Sequence, residues 1–276
     1  MYPQKADFTF YGGLYRDVTL HIVPAEHFAL PDNGTPALKV TPIVTDLAAK
    51  TAEVTVEAAV VGAQSVTFAL EGQALTAPVE NGTATAVFTL NHAHLWDGID
   101  DPFLYTVSAK LDNGEEASAR FGCRKFEIDP QKGFFLNGRS YPLRGVSRHQ
   151  DRKDAGIALT NEMMEEDIAL ILEIGANTIR LAHYQHAQHF YDLCDEKGLV
   201  IWAEIPYITM HMKNGRANTL TQMEELIRQN YNHPCIAVWD LSNEITAASA
   251  VNEDLLENHR LLNELAHKLD PTRKTT

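Results

Sequence analysis

The feature that most limits the fold of this chain is a change of hydrophobic periodicity close to Asn137-Gly138. Upstream, from about Ala37 to Phe126, apolar and polar residues alternate in short runs such as Glu53-Val54-Thr55-Val56-Glu57-Ala58 and Ser65-Val66-Thr67-Phe68-Ala69-Leu70. A side-chain period of two is that of a half-buried strand, and Glu71-Gly72, Asn81-Gly82 and Asn113-Gly114 stand where hairpins turn. About ninety residues written this way predict a seven-strand immunoglobulin-like sandwich. Residues 1–30 add one or two further strands, such as Val18–Val23, too few for a domain of their own.

Downstream the period lengthens. Strands are predicted at Leu143–Ser147, Thr178–His183, Val200–Glu204 and Ala237–Ser242, and helices at Glu162–Leu172, Ala187–Lys197, Thr219–Tyr231 and Asn252–Leu269. Thr160 with Met163 and Thr219 with Gln222 bracket two of the helix starts. This is the alternation of parallel βα units. Only 140 of the 276 residues follow Leu136, whereas a closed eight-stranded α/β barrel takes ~250. Four βα units, the first half of a TIM (β/α)8 barrel, therefore fit. A complete four-stranded doubly wound domain competes, but no Gly-x-Gly-x-x-Gly follows a strand and no Gly-Lys-Ser/Thr cradle is present. The predicted fold is multidomain, all-β plus α/β, divided at 1–30, 31–127 and 128–276.

A formal net charge of −14 argues against nucleic acid as a partner, because phosphate binding needs a basic face. A neutral or polar small substrate suits it better. Cys123, Cys194 and Cys235 are an odd count at wide spacing, so reduced thiols in a cytoplasm are expected rather than disulfides or a zinc knuckle. No apolar run reaches the ~18 residues of a membrane span, and Met1–Phe10 lacks the blocks of a signal peptide.

Chemistry concentrates at the predicted strand ends. Ile236-Ala237-Val238-Trp239-Asp240-Leu241-Ser242-Asn243-Glu244 is an apolar strand that ends in polar groups. In a parallel barrel such ends carry the active site, so Asn243 and Glu244 project into it. Burial against Trp239 or Trp202 would raise the Glu244 pKa and suit its carboxyl to donate a proton. An Asn-Glu pair that merely caps the next helix is the bland alternative. Against it, the first strand ends in Arg148-His149, the second in Arg180-Leu181-Ala182-His183, and the third in Glu204. Recurring charged and imidazole groups at one end of successive strands indicate a site.

Several motifs carry a family resemblance. Phe121-Gly122-Cys123-Arg124-Lys125-Phe126, Gly133-Phe134-Phe135-Leu136-Asn137-Gly138-Arg139 and Arg144-Gly145-Val146-Ser147-Arg148-His149 resemble the linker and first barrel strand of family 2 glycoside hydrolases, the β-galactosidase and β-glucuronidase group. His94-Leu95-Trp96-Asp97 and Pro102-Phe103-Leu104-Tyr105-Thr106 are similar to a piece of its immunoglobulin-like domain, and Phe10–Asp17 to the last strands of its sugar-binding jelly roll. The resemblance runs to Asp270-Pro271-Thr272-Arg273 and implies a fragment lacking most of the sugar-binding domain and the C-terminal half of the barrel. It further implies a retaining β-glycosidase, most simply of the β-galactosidase type, with Glu244 as general acid/base and Asn243 as donor to the sugar 2-hydroxyl. His149 and His183 would line the sugar subsite, Arg180 would lie beside the nucleophile, and Glu204 would support the pocket. The nucleophile belongs to a seventh strand beyond Thr276, so the isolated chain is expected to be inactive.

No cofactor is expected. The family's magnesium-binding Glu-x-His is matched by Ile208-Thr209-Met210, with His211 displaced by one, and apolar side chains cannot bind a hard cation. His183, His186 and His189 recur every three residues, but an intervening strand end argues against a zinc comb. His92-Ala93-His94 reads as surface, and Glu162–Asp167 as the solvated first turn of a helix. Unpaired half-barrel edges suggest a homo-oligomer. The alternatives are a non-catalytic carbohydrate-binding or assembly module and, third, a metal-dependent barrel hydrolase using His149 and His183.

Overall fold

The computed structural model of the chain describes residues 8–276, so the first seven residues of the predicted 1–30 segment lie outside it. Two sheets pack face to face in the first part. One contains β1 (His27–Phe28), β2 (Leu38–Asp46), β3 (Thr51–Val61) and β6 (Thr83–Leu90); the other runs β5 (Gln73–Pro78), β4 (Ser65–Leu70), β7 (Tyr105–Leu111), β8 (Glu116–Phe121). All ladders are antiparallel. The period of two in the sequence becomes the core: Val54, Val56, Val66, Phe68, Phe88 and Val107 point between the sheets and are buried. Each such side chain contributes about 1.5–3 kcal/mol by leaving water. Glu71-Gly72 and Asn81-Gly82 each have two successive positive φ values, the type I′ geometry whose twist matches that of a hairpin.

Val18–Val23 does not form its predicted strand. The side chains of Val18, Leu20 and Ile22 are largely exposed, and no neighbouring strand pairs with them among the described residues. Period-two patterning specifies a strand only where a sheet is there to receive it.

A small antiparallel sheet of β9 (Phe126–Asp129), β10 (Gly133–Leu136) and β11 (Arg139–Ser140) bridges to the second part. There β12 (Gly145–Arg148), β13 (Thr178–Leu181), β14 (Val200–Glu204), β15 (Ile236–Asp240) and β16 (Lys274–Thr275) lie parallel in sequence order. Between them run α1 (Asn161–Glu173), α2 (Gln188–Lys197), α3 (Arg216–Asn230) and α4 (Glu253–Leu269). The sheet is not closed into a barrel. Ile179, Leu181, Ile201, Ala203 and Trp239 are buried in one core with the helix stripes Met164/Ile168/Ile171, Met223/Leu226/Ile227 and Leu255/Leu262/Ala266. Ser147, Arg180 and Trp202 are register partners of the opposite phase, and Trp202 keeps 38% of its surface exposed.

Two sequence expectations change. Lys274–Thr275 opens a fifth parallel strand, too short and polar to show a period. Helix α3 begins at Arg216 after Gly215, because Thr219 is a buried interior residue whose hydroxyl donates to Arg216 O instead of capping. The cap at Thr160 forms as expected, accepting from Met163 N.

The two parts are joined by polar contacts of buried groups. The Trp96 indole donates to Asp195 O at 2.8 Å, and the Arg124 guanidinium donates to Pro234 O and Ile236 O. Gly198, in the left-handed conformation that ends α2, has room only for hydrogen where it meets Gly98.

Candidate active site

The carboxyl ends of β12 to β15 lie side by side, which brings together five of the six residues singled out from the sequence. Arg180, on β13, is paired with Glu204 at the end of β14 through two guanidinium nitrogens. The same guanidinium donates to Asn243 Oδ1. His183 Nδ1 lies 3.1 Å from Glu204 Oε2 and 3.3 Å from Arg180 Nη2, and a cis peptide joins it to Ala182. The His149 ring stands edge-on to that of His183 with centroids 5.1 Å apart. Glu204 is fully buried, so its charge is balanced by these donors rather than by water.

Glu244 departs from expectation. It follows Asn243 directly, but its side chain is exposed and its φ is +48°. Trp239 points away, into the helix-side core, where its indole donates to Asp270. Trp202 is engaged with Asp240. The apolar wall expected to bury Glu244 is therefore absent among the described residues. Backbone bonds hold the segment in place: Asn243 N donates to Tyr207 O, Thr209 N to Asn243 O and Ala248 N to Thr209 O.

The carboxyl that burial does raise is Asp240, which the sequence reading passed over. Desolvation first and the neighbouring Glu204 carboxylate second push it up to about 6. Its signal was available, since Asp240 is the one ionisable residue in a strand buried throughout. Phe8 and Tyr184 were also missed. The Phe8 ring lies 5.4 Å from His149, 5.8 Å from His183 and 5.4 Å from Tyr184, and 140 or more residues separate it from them, a proximity no local pattern reveals.

The remaining histidines do other work. His186 is buried against Arg148, and burial followed by that guanidinium lowers its pKa. His189 faces Glu165, so the three-residue comb does not converge. Asp167 is not merely a solvated helix residue, since it clamps the buried Arg148 at 2.6 and 3.0 Å. His94 pairs with Asp101 at the surface. His211 bridges Tyr207 and Asp254 at 2.6 and 2.8 Å.

Asp195, His233 and Cys235 place three ligand atoms within 4.8 Å of one another. His233 and Cys235 lead into β15 and Asp195 stands near the end of α2, at the end of the sheet opposite Asn243. Asp195 already bonds His233 Nδ1 and Cys235 N, and burial holds the Cys235 thiol protonated. This is a structural latch. No helix of the described residues is long and apolar enough to cross a membrane.

Comparisons agree with this layout. Residues 126–276 match the model described as glycosyl hydrolases family 2, TIM barrel domain, and residues 28–124 match glycosyl hydrolases family 2. A β-glucuronidase of Bacteroides fragilis is 37% identical over 99% of this chain, which spans 43% of that protein. A β-galactosidase of Thermoanaerobacterium thermosulfurigenes is 33% identical over 67% of the chain and 26% of its own length. A crystal structure of an FMN-binding β-glucuronidase from Facaelibacterium prausnitzii L2-6 superposes with a TM-score of 0.91 at 42% identity, covering all of this chain and 44% of that one.

Proposed function

The chain belongs to family 2 of the glycosyl hydrolases, and we propose from that membership that it carries the acid/base half of a retaining β-glycosidase site. Glu244 is the acid/base that protonates the departing glycosidic oxygen, and Asn243 hydrogen-bonds the sugar beside the cleaved bond. The single observation that supports this most is the Arg180 guanidinium, which links Glu204 of one strand end to Asn243 of another and so holds the residue before Glu244 in register with the His149 and His183 rings. Such preorganisation fixes the acid relative to the sugar before reaction.

A retaining mechanism needs a second carboxyl ~5–5.5 Å from the first. Glu204 and Asp240 are poor candidates, because both side chains are buried, Glu204 in its pairing with Arg180 and His183. The nucleophile is proposed to come from barrel strands that this chain does not contain. The relatives spanning nearly all of this chain at 36–37% identity are named β-glucuronidase or putative β-glucuronidase. A β-glucuronide is on that ground preferred over the β-galactoside expected from sequence.

The test adds a C-terminal barrel half of a family relative to the purified chain and follows 4-nitrophenyl β-glucuronide and β-galactoside. Turnover is expected only in the mixture, faster on the glucuronide, and lost in Glu244→Gln. Turnover by the chain alone would overturn the missing nucleophile; restored turnover that survives Glu244→Gln would overturn the acid/base assignment.

A further inference from the structure

We propose that His259 of α4 is a positioning residue for Glu244, aiming that carboxyl through a hydrogen bond to Ser242. The inference rests on the acid/base reading above and deepens it to the means by which the acid is held.

Glu244 has little of its own to hold it. Its side chain is exposed, and its backbone is left-handed at φ +48°, a conformation that a residue other than glycine keeps only where its surroundings impose it. The two residues before it are anchored toward opposite faces of the sheet. Asn243 Oδ1 accepts from Arg180, whereas Ser242 Oγ lies 2.7 Å from His259 Nε2 on the helix side. Side chains tied on both sides of one peptide hold that peptide against rotation, and so set the direction in which Glu244 leaves it.

The geometry also fixes the state of the His259 ring. Its Nδ1 lies 3.0 Å from Leu255 O, one turn earlier in α4, and a carbonyl can only accept, so Nδ1 carries the hydrogen. In the neutral ring Nε2 is then bare, and the Ser242 hydroxyl donates to it. The ring also packs on Tyr207, with centroids 5.4 Å apart. Tyr207 is in turn bonded to His211, which meets Asp254 of α4, itself paired with Arg216. Helix α4 and the loop after β14 therefore hold the ring from two sides, and the ring passes their position to Ser242.

The first measurement is the long-range proton–nitrogen spectrum of the labelled 276-residue chain with its histidines neutral, at about pH 8. Hydrogen on Nδ1 and a bare Nε2 are expected for His259; hydrogen on Nε2 would overturn the bond. The backbone amides of Asn243 and Glu244 are expected to shift in Ser242→Ala and in His259→Phe, which keeps an aromatic ring against Tyr207. They should return toward the parent positions in Ser242→Thr, which keeps the hydroxyl. Amides unmoved in both of the first two variants would overturn the proposal. In the mixture with the C-terminal barrel half, those two variants are expected to lower kcat about tenfold at unchanged KM, because the sugar binds as before while the acid is displaced. Ser242→Thr is expected to recover the rate. A kcat equal to the parent's, or a loss confined to KM, would overturn the positioning role. If Glu244→Gln abolishes turnover and His259→Phe leaves it intact, the positioning role falls and the acid/base reading stands. If turnover survives Glu244→Gln, the acid/base reading falls and the amide shifts mark the contact of Ser242 with His259 as a structural anchor only.

Discussion

Glu204 and Asp240 are register partners on neighbouring parallel strands, and the two residues are only 1% and 5% exposed. Of the two, Glu204 is the one that faces Arg180 and His183. Asp240 is correspondingly raised from 3.8 to about 6, by burial and then by Glu204. Between those values the unfolded chain has released a proton that the folded chain keeps. The contribution therefore favours the folded state below about pH 4 and is lost as pH rises through about 6, by about 3 kcal/mol. Asp240→Asn is expected to flatten the stability profile between pH 4 and 7 and to raise the urea midpoint at pH 7. A variant whose profile keeps the parent slope would refute the assignment.

Asp270 behaves in the opposite sense. Burial alone would raise its carboxyl, but Arg273, Thr272 and the Trp239 indole together hold it well below the ordinary carboxylate range. Its stabilisation is present above about pH 4 and is lost on acidification. Asp270→Asn leaves the buried Arg273 guanidinium without its anion and should cost about 3–5 kcal/mol in denaturant melts. Asp270→Asn combined with Arg273→Met should cost less than the two single changes summed. Additive losses would show that the pair does not act as a unit.

Gly198 and Gly175 both adopt positive φ, at 72° and 78°, yet only Gly198 is crowded. A methyl group there would approach Gly98 O to 2.0 Å, while at Gly175 nothing lies within 4 Å. Gly175→Ala should cost about 1 kcal/mol, the backbone penalty alone. Gly198→Ala should cost about 2–4 kcal/mol, because the loop at Gly98 must also move. Comparable melting temperatures for the two variants would contradict the close approach.

Asp254 joins the loop after β14 to the start of α4 through His211 and Arg216. His211 foremost, and Arg216 after it, keep the Asp254 carboxyl below its ordinary range. Asp254→Ala should release residues 205–215 and 242–252 together, seen as faster amide exchange at Asn243, Thr209 and Ala248, whose N–H groups tie those loops to each other. Unchanged exchange at these three amides would separate the ion pair from the segment that carries Glu244.

Much of the architecture could be read from local pattern. The alternation in Thr51–Val61 and Ser65–Leu70 became sheet faces, Val200–Glu204 formed as predicted, and Asn252 capped the last helix by accepting from Leu255 N. The strand-end rule was enough to gather His149, Arg180, His183, Glu204 and Asn243. It failed for the environment of Glu244, because burial depends on which side chains from distant segments arrive. Trp239 obeyed the period of its own strand and turned to the helices, leaving Trp202 on the other face beside Asp240.

Sequence alone was sufficient for the first four parallel strands and their helices, their order and the residues at one end of each strand, since side-chain period and turn chemistry act over a few residues. Only the tertiary structure decided that Asp240 and not Glu244 is the desolvated acid, that Phe8 packs on His149 and His183, and that Gly198 must be glycine. Those outcomes are set by contacts between segments far apart in the chain, where distance and dielectric are properties of the packed whole.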